Sequence, residues 1–228
     1  MANGLRKMLL VALVLCALPG CQQSGFSVPN LAKGDIDFVS DAHYREVQSL
    51  LRELTVKLYR RNPSQLAKKP GTSLDMRLDQ LFRGAGPVIV SELDFVQGTQ
   101  ALALALDEDF KGDRVLALMA GLNGMTRNAY GNRSQSFMFD QLDEQKLYDS
   151  ARNIEILIWR LRQASSAGSL PLILTNNLPG EPVNLSFERL FGKLIALQDM
   201  MAMVVSQQNN RLINKVTQNI ASLVFFPL

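Results

Sequence analysis

DAHYREVQSLLRELTVKLYRR, residues 41–61, carries the pattern that decides the fold. Its apolar residues Tyr44, Val47, Leu51, Leu54 and Leu58 recur at spacings of 3, 4, 3 and 4, one continuous stripe down an α-helix. Arg45, Glu46, Arg52, Glu53, Lys57 and Arg60 fill the other faces, with Glu53 and Lys57 as a favourable i, i+4 pair. Ser40 or Asp41 supplies the expected N-cap, and Asn62-Pro63 ends the helix.

The same period returns downstream. Leu147, Ala151, Ile154, Ile158 and Leu161 stripe a helix over 143–163. Ser186 caps another, with Leu190, Leu194, Leu197, Met201 and Val204 expected inward. Between them lie shorter pieces. Asn62-Pro63-Ser64-Gln65 reads as the cap and first turn of a short helix stopped by Pro70-Gly71. Thr72 or Ser73 opens a helix to Phe82 with Leu74, Leu78 and Leu81 on one face. Gly84-Ala85-Gly86-Pro87 breaks the chain, and Val88-Ile89-Val90 has strand character without an obvious partner. Residues 93–126 read as an αα-hairpin about an acidic turn at 107–113, where Ala117, Ala120, Gly121 and Gly124 permit close helix approach and Asp113 caps the second arm. Residues 130–139 form a polar-aromatic connector, and 165–182 a loop containing an extended Leu172-Ile173-Leu174.

After residues 206–210 the stripe resumes at Leu212, Val216, Ile220 and Leu223. An unbroken helix from Phe187 to Leu223 would measure about 55 Å. A compact domain of this size is only about 43 Å across. A break is therefore expected within 206–210. The expected architecture is all-α: a single-domain, multi-helix bundle of about six to eight helices with irregular connectors.

Composition narrows the chemistry. The 228 residues are 47% apolar and 20% charged, which is globular, and one histidine and two cysteines are present. A Ser-His-Asp triad would have to use His43, expected as a solvated first-turn residue, and no Gly-x-Ser-x-Gly elbow occurs. Zinc sites built from His and Cys fail on counting. Phosphate-loop and dinucleotide fingerprints are missing.

The first 21 residues give an address. Arg6 and Lys7 precede eleven largely apolar, uncharged residues, 8–18, and then come Leu18-Pro19-Gly20-Cys21. As a helix the apolar run rises about 16 Å, far short of the roughly 30 Å hydrocarbon core. A basic region, a short apolar region and small residues before a cleavage point mark a secretory signal. Leu18-Pro19-Gly20-Cys21 resembles the lipobox of bacterial lipoprotein precursors, with Pro19 a less usual residue at its place than Ala or Ser. The resemblance implies a diacylglyceryl thioether on Cys21, cleavage before it and acylation, with palmitate or a similar chain, of the new amino group. It also implies that Gln22, where Asp would signal inner-membrane retention, directs the chain to the periplasmic face of the outer membrane. A Gram-positive surface lipoprotein stays open. The expected organisation is a signal peptide over 1–20, a flexible tether over 21–36 spanning on the order of 20 Å, and an α-helical periplasmic domain over 37–228.

Losing Arg6 and Lys7 takes two of the 24 basic residues against 21 acidic ones and lowers the net charge from +3 to +1, leaving no electrostatic motive for nucleic acid. With Cys16 removed and Cys21 acylated, no disulfide pair is left. No cofactor and no catalytic residue is assigned. Membrane lipid, through acylated Cys21, and an envelope protein are the expected partners.

Weaker constellations point elsewhere. Asp107-Glu108-Asp109-Phe110-Lys111-Gly112 places Asp, Asp and Gly as in a calcium loop, but Lys111 takes a ligand position and Leu118 the place of the bidentate Glu. Glu92 with Asp94, or Asp140 with Asp143 and Glu144, offer paired carboxylates for an alternative function as a hydrolase of peptidoglycan or glycan. Met200, Met201 and Met203, with Met119, Met125 and Met138, offer an adaptable surface for an apolar ligand or lipid, or else core filling. Gln208 lies on the last apolar stripe and needs a partner if buried. Phe225-Phe226-Pro227-Leu228 docks on the core or on a partner, and Asn132-Arg133-Ser134 is a sequon only in a eukaryotic setting.

Overall fold

The stripe over 41–61 is helical and faces inward: Val47, Leu51, Leu54 and Leu58 are fully buried, and Tyr44 is half-buried. The computed structural model describes residues 35–133, 142–163, 171–175, 177–178, 180–209, 212–213 and 224–228. They form α1 (Asp35–Arg61), α2 (Pro63–Leu66), α3 (Leu74–Phe82), α4 (Gly98–Leu106), α5 (Arg114–Ala129), α6 (Glu144–Gln163) and α7 (Ser186–Asn209), with a 3-10 turn at Ser91–Leu93. No strand occurs among the described residues, so the fold is all-α. No described helix is long and apolar enough to cross a membrane.

The first helix begins earlier than its cap signal suggested. It opens at Asp35, inside the expected tether, so Ser40 and Asp41 are buried helix residues and not caps.

Helix α5 is the axis of the fold. Every residue from Arg114 to Arg127 is buried, as a helix must be when neighbours pack on all sides. It packs against α1, α3, α4 and α6. The α4–α5 hairpin closes tightly because Gly121 lacks a side chain: a Cβ there would stand 2.8 Å from the backbone nitrogen of Leu102. Asp113 caps α5, its Oδ1 accepting from the Leu116 N–H at 2.9 Å, and Ser73 caps α3 through the Met76 N–H at 3.2 Å.

Extended segments are held by asparagine amides in place of a sheet. Asn62, buried before α2, accepts from Leu174 N (2.7 Å) and donates to Leu174 O (2.9 Å), which seats Ile173 in the core. Asn153 on α6 does the same for Phe226, accepting at 2.7 Å and donating at 3.0 Å, and Asn128 donates to Leu228 O at 3.1 Å. The terminal aromatics therefore dock on the core, with Phe225 buried. Val88 and Val90 are buried and Ile89 is exposed, a strand-like alternation with no ladder.

Helix α7 ends at Asn209 and Leu212-Ile213 is not helical, so the chain breaks within 206–210 as its length required. Asn209 Nδ2 donates to Leu142 O (3.2 Å) and Glu144 Oε2 (3.1 Å), fastening this end to the start of α6. The buried face of α7 runs through Phe187, Phe191, Leu194, Gln198, Met201 and Val205, while Leu197 and Val204 are only half-buried. The buried amide is thus Gln198, with neither side-chain atom bonded, and Gln208 is exposed. Val216, Ile220 and Leu223 lie outside the described residues.

Candidate functional site

His43 sits inside α1, half-buried, and not in a solvated first turn. Burial lowers its pKa, and its Nδ1 is buried without a hydrogen bond. The acidic turn after α4 already encloses a cation from its own chain. Arg114 donates through Nη1 to the carbonyls of Ala105 (2.9 Å) and Asp107, and through Nη2 to those of Glu108 (3.0 Å) and Phe110 (2.8 Å). Asp107 Oδ1 accepts from the Asp109 N–H at 3.0 Å, the geometry of an Asx turn. The residues that resembled a calcium loop form an arginine-filled interhelical turn.

The candidate carboxylates have separate tasks. Asp143 Oδ1 accepts from the N–H groups of Gln145 (2.9 Å) and Lys146 (3.1 Å) at the start of α6, and Glu144 holds Asn209. Asp94 is exposed on left-handed backbone (φ 49°), and Asp140 lies outside the described residues. Glu92 takes Lys69 Nζ at 2.7 Å and Arg77 Nη1 at 2.8 Å.

That last contact opens onto a buried polar network that no local pattern announced. Arg77 on α3 is 1% exposed. It pairs with Glu92 on one side and with Asp113 Oδ2, at 3.3 Å, on the other, and Tyr59 Oη donates to the same Asp113 oxygen at 2.9 Å. One carboxylate cap thus joins α1, α3 and α5. Burial pushes the Asp113 carboxyl above its usual range, against the pull of the Leu116 N–H, Tyr59 and Arg77. Burial likewise raises the Tyr59 hydroxyl, which stays protonated and able to donate.

Glu92 behaves oppositely. Hydrogen bonding to Arg77 holds its pKa down to about 2. A carboxylate depressed on folding contributes stability above its unfolded pKa and loses it as pH falls through the folded value. The urea midpoint is expected to fall between about pH 5 and pH 2, with about 2 kcal/mol of that loss due to Glu92 after solvent screening. Glu92→Gln should remove that part of the slope; an unchanged pH profile in the variant contradicts the assignment.

The methionines divide. Met119, Met125 and Met201 are core, whereas Met200 and Met203 are exposed on α7, and Met138 lies outside the described residues. The exposed pair lines a groove of about 690 Å³ between α6 and α7, with Tyr148 on one wall and Leu212 and Ile213 at one end. Arg152 crosses it, paired to Asp199 at 2.6 Å and lying 4.8 Å over the Tyr148 ring. This is a mostly apolar concavity with one neutralised ion pair, suited to holding apolar groups. Compared with protein-family models, curated protein sequences and solved structures, the chain matches none.

Proposed function

We propose that the chain is a lipid-anchored lipoprotein of the bacterial envelope, held by acyl chains on Cys21 at the periplasmic face of the outer membrane. Its helical domain is a binding, scaffolding or assembly module. The observation that carries this reading is Leu18-Pro19-Gly20-Cys21 directly after a basic and a short apolar region, with Gln22 next. The groove on α6 and α7 supports the binding half, since flexible methionines adapt to varied apolar partners. The carboxylate-hydrolase alternative needs two carboxyl groups about 5–10 Å apart across a sugar. Of its described candidates, Glu92 is instead engaged by Arg77, Asp143 by helix-start N–H groups and Glu144 by Asn209, while Asp94 is exposed on a turn. A second reading, capture of an apolar ligand, is favoured by the exposed Met200 and Met203 in the groove.

A photoreactive residue in place of Met203, in the lipidated chain in whole cells, tests the module. The expected result is one discrete adduct from position 203 and none from a control at the exposed Arg83. A protein adduct supports the assembly reading, and an adduct with the mass of a fatty acid or lipid the second. Equal labelling from both positions, or none from position 203, contradicts both.

A further inference from the structure

Arg127, in the last turn of α5, is 3% exposed, and a guanidinium does not give up its proton. A positive charge therefore sits inside the fold. Buried charges are ordinarily matched by an opposite one, because losing water is costly. Among the described residues no carboxylate pairs with Arg127. Nη1 donates to Gly86 O at 3.1 Å and Nη2 to Leu81 O at 3.3 Å, while Nε is buried with no acceptor.

This charge borders a cavity of about 390 Å³. Tyr44, Arg45, Gln48, Ser49 and Arg52 line one wall from a single face of α1, and Phe82 closes it from the end of α3. Arg52 lies 4.8 Å over the Phe82 ring, which sets its place at the rim. The lining holds three guanidiniums, two hydroxyls and an amide, and no carboxylate. Neighbouring acids are spent or stand aside. Glu53 pairs with Lys57 at 3.9 Å and Asp79 with Arg83 at 2.6 Å, and neither Asp41 nor Glu46 lines the cavity.

We infer that this cavity is a binding site for a phosphate ester, with the phosphoryl oxygens on Arg45, Arg52 and Arg127 and the organic part against Tyr44 and Phe82. A phosphoryl group presents several oxygens in different directions, which suits guanidiniums arriving from two helices better than a planar carboxylate does. A lipid headgroup and a soluble ester present the same phosphoryl oxygens to these guanidiniums, so the chemistry recognised is the same. The inference does not depend on the anchor at Cys21.

Calorimetry on the full chain in non-ionic detergent, with inorganic phosphate, glycerol phosphate and a short-chain phosphatidate, tests it. Saturable binding of the esters is expected, tighter than inorganic phosphate. Arg45→Gln with Arg52→Gln should weaken it at least about tenfold while leaving the helical circular dichroism intact. Tighter binding of phosphatidate than of glycerol phosphate identifies a lipid source, and the reverse a soluble one. Arg127→Gln should also abolish binding but disturbs the carbonyls it holds, so the exposed pair decides. No saturable binding at millimolar ester, or binding unchanged in the double variant, overturns the site.

Discussion

Cys21→Ala is expected to reduce incorporation of a fatty-acid analogue into this chain to background and to leave a precursor longer by the residues 1–20. The sulfur is the first attachment point the lipobox offers, and cleavage and acylation of the new amino group follow it in such precursors, so all these steps fail together. The physical consequence is large. One acyl chain holds a protein to a bilayer with an association constant on the order of 10⁴ M⁻¹, whereas two or three hold it stably, each buried methylene adding about 0.8 kcal/mol. Residues 22–228 exported behind an ordinary cleavable signal are therefore expected to leave the membrane fraction, having no acyl chain to hold them there. Undiminished labelling of Cys21→Ala would contradict the assignment to that sulfur.

The second large effect lies in the fold. Asp113→Ala removes three contacts at once: the cap on the Leu116 N–H, the acceptor for Tyr59 Oη and the ion partner of Arg77. Cap loss alone costs about 1 kcal/mol. Arg77 keeps Glu92 as an ion partner, so losing Asp113 costs less than the roughly 3–5 kcal/mol of a fully stranded buried ion. These terms share one side chain and do not add in full, so a destabilisation of about 3–4 kcal/mol is expected. At roughly 2–4 °C per kcal/mol for a chain of this size, the melting midpoint should fall by about 10 °C. Asp113→Asn keeps an acceptor for the cap and should fall between. Asp109→Ala, at an exposed position in the same turn, should change stability by less than about 0.5 kcal/mol. If Asp113→Ala costs under about 1 kcal/mol, the network does not hold the three helices together.

How far the fold could be read beforehand follows from which physical signals are local. Helical stripes on α1 and α6, the Ser73 and Asp113 caps, and the Gly121 contact each express themselves within a turn or two, and each appears where the residues indicated. Cap signals failed at α1 because Ser40 and Asp41 are also competent helix residues once the helix starts upstream. Apolar patterning failed on α7 because Gln198 occupies a core position, so the eye moves to Leu197 and Val204. Long-range polar pairing left almost no mark. Arg77 reads as one more surface cation on a short helix, and only the fold brings Glu92, Asp113 and Tyr59 to it. Arg127 was equally silent, since its burial depends on what α1 and α3 place around the end of α5. Of the candidate groups, the split between core and exposed methionines needed the structure, because both kinds sit within four residues of α7.

Mass analysis of the tryptic peptide ending at Lys33, from protein extracted out of envelope membranes, tests the anchor most directly. The peptide is predicted to begin at Cys21 and to carry a diacylglyceryl group on sulfur with a further acyl chain on its amino group. A peptide that reads through Gly20 into Gln22, or one that begins at Cys21 with a free thiol, would contradict the placement of this chain on a membrane.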